Sequence, residues 1–282
     1  EFAVLDVMLA RLQELTVLLY AVSVLLYFID FLYNNRKANK LAFRMLTIVW
    51  LFQTIFLFLY VLKTDRFPVL TLFEGLYFYV WVLVTLSVYV SKFLKFDFII
   101  FFMNILGFIM MVIHTFSPFE VGSASDVLVQ QLASELLFAH ITIAFLAYGA
   151  FTFSFILALL YLLQYDLLKK KRWGKRLRRL GDLAGLEKTA HFSNVIGVSL
   201  LFFSLVLGLG WAHIKIPGIF WLDAKILGSF FALLIYAAII FIKVKKQVYG
   251  KTIAYWNIGA FLIVLVNFFL FDSLSTFHFW YA

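Results

Sequence analysis

The sequence predicts an all-α fold: a polytopic membrane protein of eight transmembrane helices with both termini outside. Three observations carry this. Of 282 residues, 65% are hydrophobic, 20% aromatic and only 14% charged, far from the composition of soluble domains. Apolar stretches of about 20 residues, enough for a helix to cross roughly 30 Å of hydrocarbon, occur eight times. The connections between them are short and polar. Backbone crossing lipid must satisfy its own hydrogen bonds, so these stretches are helices.

The first span, 13–33, has no small-residue cleavage site after it and reads as a retained helix, not a signal peptide. The second covers 41–62. The third, 71–91, begins just after Pro68 and carries Glu74 near its start, where a carboxylate caps a helix or accepts from a loop. The fourth, 96–114, ends on His114. The fifth, 134–163, holds His140 about two turns inside its outer end. The sixth, 194–213, closes on Trp211 and His213. The seventh, 222–243, opens with Asp223 and Lys225, an ordinary charge pattern for a helix start. The eighth, 252–272, runs into the aromatic STFHFWYA, which contains His278. The whole chain, 1–282, reads as a single integral membrane domain without a convincing internal repeat.

Charge orients the spans. The loops 34–44, 92–95, 166–190 and 243–251, with their helix ends, hold 19 basic and 5 acidic residues; the other side holds 5 basic and 10 acidic. One face is therefore +14 and the other −5, and the positive-inside rule places the first in the cytoplasm. A reporter that works only outside the cytoplasm, fused after Ala282, should be active. Activity of a cytoplasm-only reporter at that position would break the eight-span topology.

The net charge of +9 thus reports cytoplasmic loops, not a nucleic-acid surface, and no helix-turn-helix or zinc motif is present. The longest basic connection, 166–193, carries eight Lys and Arg within the eleven residues Lys169–Arg179. Trp173, Leu177, Leu180 and Leu183 are interleaved with them. Such an amphipathic stretch lies on anionic lipid; the alternative is a docking patch for an acidic cytosolic protein.

Chemistry-bearing residues are few. There is no Walker loop, Ser/His/Asp order or paired intramembrane carboxylate, so an enzyme is not expected. A transporter would need a polar path, and the spans carry almost no mid-membrane charge. Four of five histidines fall on the outer side: His114, His140, His213 and His278; His191 is cytoplasmic. His140 lies where an unpaired imidazole is costly. Either it bonds a neighbouring helix or it serves a ligand. Ala144, Ala147 and Phe151 share its face, which would leave a slot beside the ring. Between Trp211 and Lys225 the chain reads WAHIKIPGIFWLDAK. Tryptophan and aspartate together at a membrane boundary suit a flat amphipathic ligand at the membrane surface.

Four stretches resemble the cytochrome c assembly superfamily of haem-handling membrane proteins. RFPVLTLFEGLYF (66–78) is similar to its F-P-x4-[YF]-E-[SG]-L segment, and HITIAFLAYGAF (140–151) to its H-V-x6-Y-A-x-[LF] helix. WAHIKIPGIFWLDAK resembles the tryptophan-rich WGxYWxWDPKE through Gly218, Phe220, Trp221, Asp223 and Lys225. NFFLFDSLSTFHFW (267–280) resembles the closing N-x-L…LHSY, with His278 in the histidine position. The tryptophan-rich segment is thinned: its second Trp is lost and Ala224 replaces Pro. Arg66 stands where a His precedes F-P, and the family's intramembrane histidine falls at about Phe241. Length and degenerate signature look most like the HemX branch.

The resemblance implies that His140 and His278 flank the tryptophan-rich segment as axial iron ligands. Phe220, Trp221 and Asp223 would line the site, with His213 and His114 as reserve ligands. Two histidines beside an aromatic platform can bind haem iron from both faces; Lys215, Lys225, Arg66 or Lys63 could meet the propionates. With no cysteine in the chain, thiolate ligation and a thioether link are excluded, and the implied cofactor is haem b. The implied function is haem handling in a bacterial cytoplasmic membrane without turnover. The branch implies modulation of haem biosynthesis through the level of glutamyl-tRNA reductase. Haem transport or a role as a cytochrome c maturation subunit is the alternative. Implied partners are haem, anionic lipid at the cytoplasmic face and possible contact with the reductase, with no nucleic acid.

Overall fold

The structure, a computed structural model, describes residues 2–64, 67, 72–93, 98–116, 135–171, 174, 179–215 and 223–274. Among them are eight long helices and no strand: α1 Phe2–Tyr33, α2 Arg36–Thr64, α3 Leu72–Phe93, α4 Ile99–Phe116, α5 Glu135–Lys169, α6 Leu183–Lys215, α7 Ala224–Lys246 and α8 Lys251–Leu274. Each contains a segment long and apolar enough to cross a membrane. The protein is an all-α, multi-pass membrane protein.

Several helices outrun their apolar cores, because caps rather than hydropathy set their ends. Asn35 Oδ1 accepts from the Lys37 and Ala38 amides at 3.0 and 3.2 Å and starts α2. The Asp182 carboxylate accepts from the Gly185 amide at 2.8 Å. That cap opens α6 eleven residues before the apolar run at 194, so much of the basic connection expected over 166–193 is helix. Asp223 caps α7 by accepting from the Lys225 amide at 2.9 Å, and Gln247 ends it in the left-handed conformation.

The chain forms two compact units. The first comprises Glu1–Phe119 with Arg172–Gly181; the second, Glu120–Lys171 with Asp182–Ala282. In the first, α1 packs on α2 and α4, and α3 on α4 and α2. Its interior is apolar at Leu46, Val49, Leu83 and Met103, but α1 turns Thr16, Tyr20, Ser23, Tyr27 and Asp30 inward, all at most 1% exposed. Thr16 satisfies itself within the helix by donating to the Leu12 carbonyl at 2.6 Å, while Tyr20, Ser23 and Asp30 bond to other elements, as suits polar atoms within a membrane bundle. Tyr20 donates to Asn104 Oδ1 at 2.9 Å, Asn104 donates to Ser87 Oγ at 3.0 Å, and Ser23 donates to the Ala42 carbonyl at 2.9 Å. Glu74 is buried in the first turn of α3 and accepts from the Tyr60 hydroxyl of the neighbouring helix α2.

The basic run is not uniformly a surface. Arg179, expected to face lipid or a partner with its neighbours, is buried. It grips the Asp30 carboxylate with two hydrogen bonds of 2.8 and 2.7 Å, and its guanidinium lies 4.6 Å from the centre of the Phe98 ring. Asn39 adds a third donor to Asp30 at 2.8 Å. A buried carboxylate needs a counter-charge, and the basic segment supplies it.

In the second unit α5 packs on α6 and α8, and α7 on α8 and α6. The α5–α6 seam is made of small residues, which let backbones approach. Ser193 donates to the Ala150 carbonyl and Ser154 to the Ala190 carbonyl, at 2.8 and 2.9 Å. Phe151 lies on Gly197, where an added Cβ would come within 2.5 Å of the ring, and stacks on Tyr236 at 3.9 Å.

Candidate functional site

His140 sits one and a half turns into α5, half-buried. Its ring crosses to α6. Nδ1 lies 2.6 Å from the Ser204 carbonyl and 3.0 Å from Ser204 Oγ. That hydroxyl itself donates to the His140 carbonyl at 2.9 Å. Both Ser204 oxygens are therefore placed to accept, which assigns the imidazole proton to Nδ1 and puts the lone pair on Nε2. A backbone carbonyl on the second nitrogen is the arrangement that orients a metal-binding histidine. The ring is admitted by Gly208: a Cβ there would lie 2.5–3.0 Å from three imidazole atoms.

Sequence reasoning named His140 and missed both of its partners. A signal for them exists. Ser193-x3-Gly197 and Ser204-x3-Gly208 are successive small-x3-small pairs on α6, the pattern that marks a close helix–helix seam.

Two more of the stretches meet at this end of the unit. Lys225, beside the Asp223 cap, donates from Nζ to the Asn267 carbonyl at 3.0 Å and lies 5.7 Å from the Phe268 ring. Phe268 in turn meets Phe145 and Tyr148 of α5 edge-on, at 6.1 and 6.0 Å. Residues from 140–151, 211–225 and 267–280 thus form one aromatic, singly cationic cluster within α5–α8, with Asp223 buried beside it. His278, Phe220, Trp221 and Arg66, all expected at the site, lie outside the described residues.

The other candidates separate. His213 is exposed at the end of α6. His114 belongs to the first unit, buried with its ring edge-on to Tyr77 at 5.3 Å. Lys63, also of the first unit, pairs with Asp6. Phe241, where the family places an intramembrane histidine, faces outward from α7 at 57% exposure, so an internal ligand at that position is not available. No cluster of three or more His, Cys, Asp or Glu suited to a bare metal ion occurs among the described residues.

Residues 69–278 match the family described as Cytochrome C assembly protein. The chain is 52% identical over 278 residues to Protein HemX of Bacillus subtilis (strain 168), covering 99% of this chain and all of that one. It is 42% identical over 271 residues to Protein HemX of Brevibacillus brevis, covering 96% and 98%. The residues from 140–151, 211–225 and 267–280 that converge in α5–α8 lie within the matched region, and the chain belongs to the cytochrome c assembly protein family, alongside its HemX-named relatives.

Proposed function

We propose that this protein binds haem b at the end of α5–α8 that carries His140, and acts as a carrier or sensor without catalytic turnover. The observation that carries the reading is the His140 geometry. Its Nδ1–H is committed to Ser204, its Nε2 lone pair remains, and Gly208 makes room for the ring. Haem supplies redox-active iron and visible absorption. The chain's own residues would do the rest: His140 would offer its Nε2 to the iron, Phe145, Tyr148 and Phe268 would give an apolar aromatic wall, and Lys225 would place one cation nearby. His278 is the proposed second ligand, with Phe220 and Trp221 as further cover and His213 and His114 in reserve.

Charge asymmetry supports a bacterial cytoplasmic membrane with the basic helix ends inside and the haem end outside. The regulatory half of the proposal, modulation of glutamyl-tRNA reductase level, rests on the likeness to the HemX branch. The exposed part of the Lys169–Arg178 run would contact anionic lipid or that partner.

An absorption spectrum of the purified, haem-supplied protein tests the reading. A Soret band with the sharp visible bands of low-spin iron is expected. Its absence after reconstitution would overturn it.

A further inference from the structure

The end of the second unit opposite His140 contains a separate polar pocket. It lies near the ends of α5–α8 marked by Lys169, Leu183, Lys246 and Lys251, and has room for about one or two water-sized groups. All four helices line it, and most of its wall is apolar. Its polar inner end is built from two amides. Asn257 donates from Nδ2 to Ser154 Oγ at 2.6 Å and to the Ser154 carbonyl at 3.2 Å. Those bonds fix which way the amide faces, so its Oδ1 is turned away from Ser154. Asn257 Oδ1 and Asn194 Oδ1 are both buried, and no donor among the described residues reaches either. At membrane depth an acceptor left in that condition is costly.

The chemistry of the rim narrows the occupant. Lys243, only 8% exposed, donates to the Glu187 carboxylate at 2.7 Å, and the other Glu187 oxygen accepts from the Gly250 amide at 3.1 Å. This ion pair neutralises itself. Tyr161 and His191 also line the pocket, both uncharged when the imidazole is neutral, and the two amide oxygens present the negative ends of their dipoles, which favours a cation over an anion. A divalent ion would call for unpaired carboxylates, and the pocket's single carboxylate is already taken. The size excludes anything much larger than potassium or ammonium.

We propose that this pocket is a binding site for a small monovalent cation of the alkali-metal or ammonium class, coordinated by the Oδ1 atoms of Asn194 and Asn257. It is independent of the haem reading, since none of its residues touches the His140 cluster.

The test is thermal unfolding of the full-length protein in detergent, at fixed ionic strength, in the chlorides of sodium, potassium, ammonium and N-methyl-D-glucamine. At least one small cation should raise the midpoint saturably over the bulky one, and the ranking identifies which. Asn257→Leu should lose that difference. Lys243→Gln should sharpen it, because Glu187 is then left to the ion, and Asn194→Asp should shift half-saturation to several-fold lower salt. Equal midpoints in all four salts would overturn the proposal. So would an undiminished difference in Asn257→Leu or, should that variant not fold, an unchanged half-saturation in Asn194→Asp.

Discussion

A His140→Ala variant is expected to accumulate near wild-type level and to lose the low-spin haem spectrum. The imidazole's bonds go to Ser204, whose carbonyl and hydroxyl sit on α6, so removing the ring leaves both helices capable of folding. On the proposed reading one of two imidazole ligands would be lost, and iron left with a single imidazole would give a weaker five-coordinate spectrum. Gly208→Val provides the complementary case. It keeps His140 but fills the space its ring occupies, and should give the same spectral change. His191→Ala, at the other end of α6, should leave the spectrum unaltered. If the His140→Ala, His278→Ala double variant retains its Soret band unchanged, the ligand assignment is wrong. Loss on His114→Ala or His213→Ala instead would transfer the site to those residues.

Arg179→Met should produce the largest stability loss of any single substitution in the basic segment. Arg179 and Asp30 are 7% and 1% exposed, and truncating one partner of such a pair strands the other charge, at a cost of about 3–5 kcal/mol. Converting both, as Asp30→Leu with Arg179→Met, should recover most of that loss, because a hydrophobic pair of similar volume carries no desolvation penalty. Thermal unfolding of the three variants measures this. A wild-type midpoint for Arg179→Met would show the pair contributes nothing. The neighbouring Lys170, more than half exposed in its i,i+4 pair with Asp166, should tolerate the same change with little effect.

The eight spans were legible because hydropathy reports the lipid-compatible part of each helix directly. It does not report where a helix ends. Asp182 opens α6 eleven residues ahead of its apolar run because a carboxylate can cap an amide outside the lipid as well as within it. His140 could be singled out because burial of an imidazole is costly wherever its partner lies. Ser204 is 64 residues away, and nothing local in either helix fixes the register that brings them together. Arg179 shows the reverse failure. It sits in a run that looks uniform by composition, and only Asp30, 149 residues distant, distinguishes it from its neighbours. The polar interior of α1 was hidden in the same way, since its span remains strongly apolar overall despite five inward polar groups.

Those five inward positions on α1, 16, 20, 23, 27 and 30, advance by alternating steps of four and three. This ties the helix to its residue count more tightly than to its residue identities. One residue added between Thr16 and Tyr20 would rotate everything beyond it by about 100°, carrying Tyr27 and Asp30 toward lipid and pulling Asp30 away from Arg179. Exchanges between residues of similar size leave that phase untouched, whereas insertions and deletions preserve it only in whole repeats of about seven. The first helix is therefore open to spelling changes and nearly closed to changes in length.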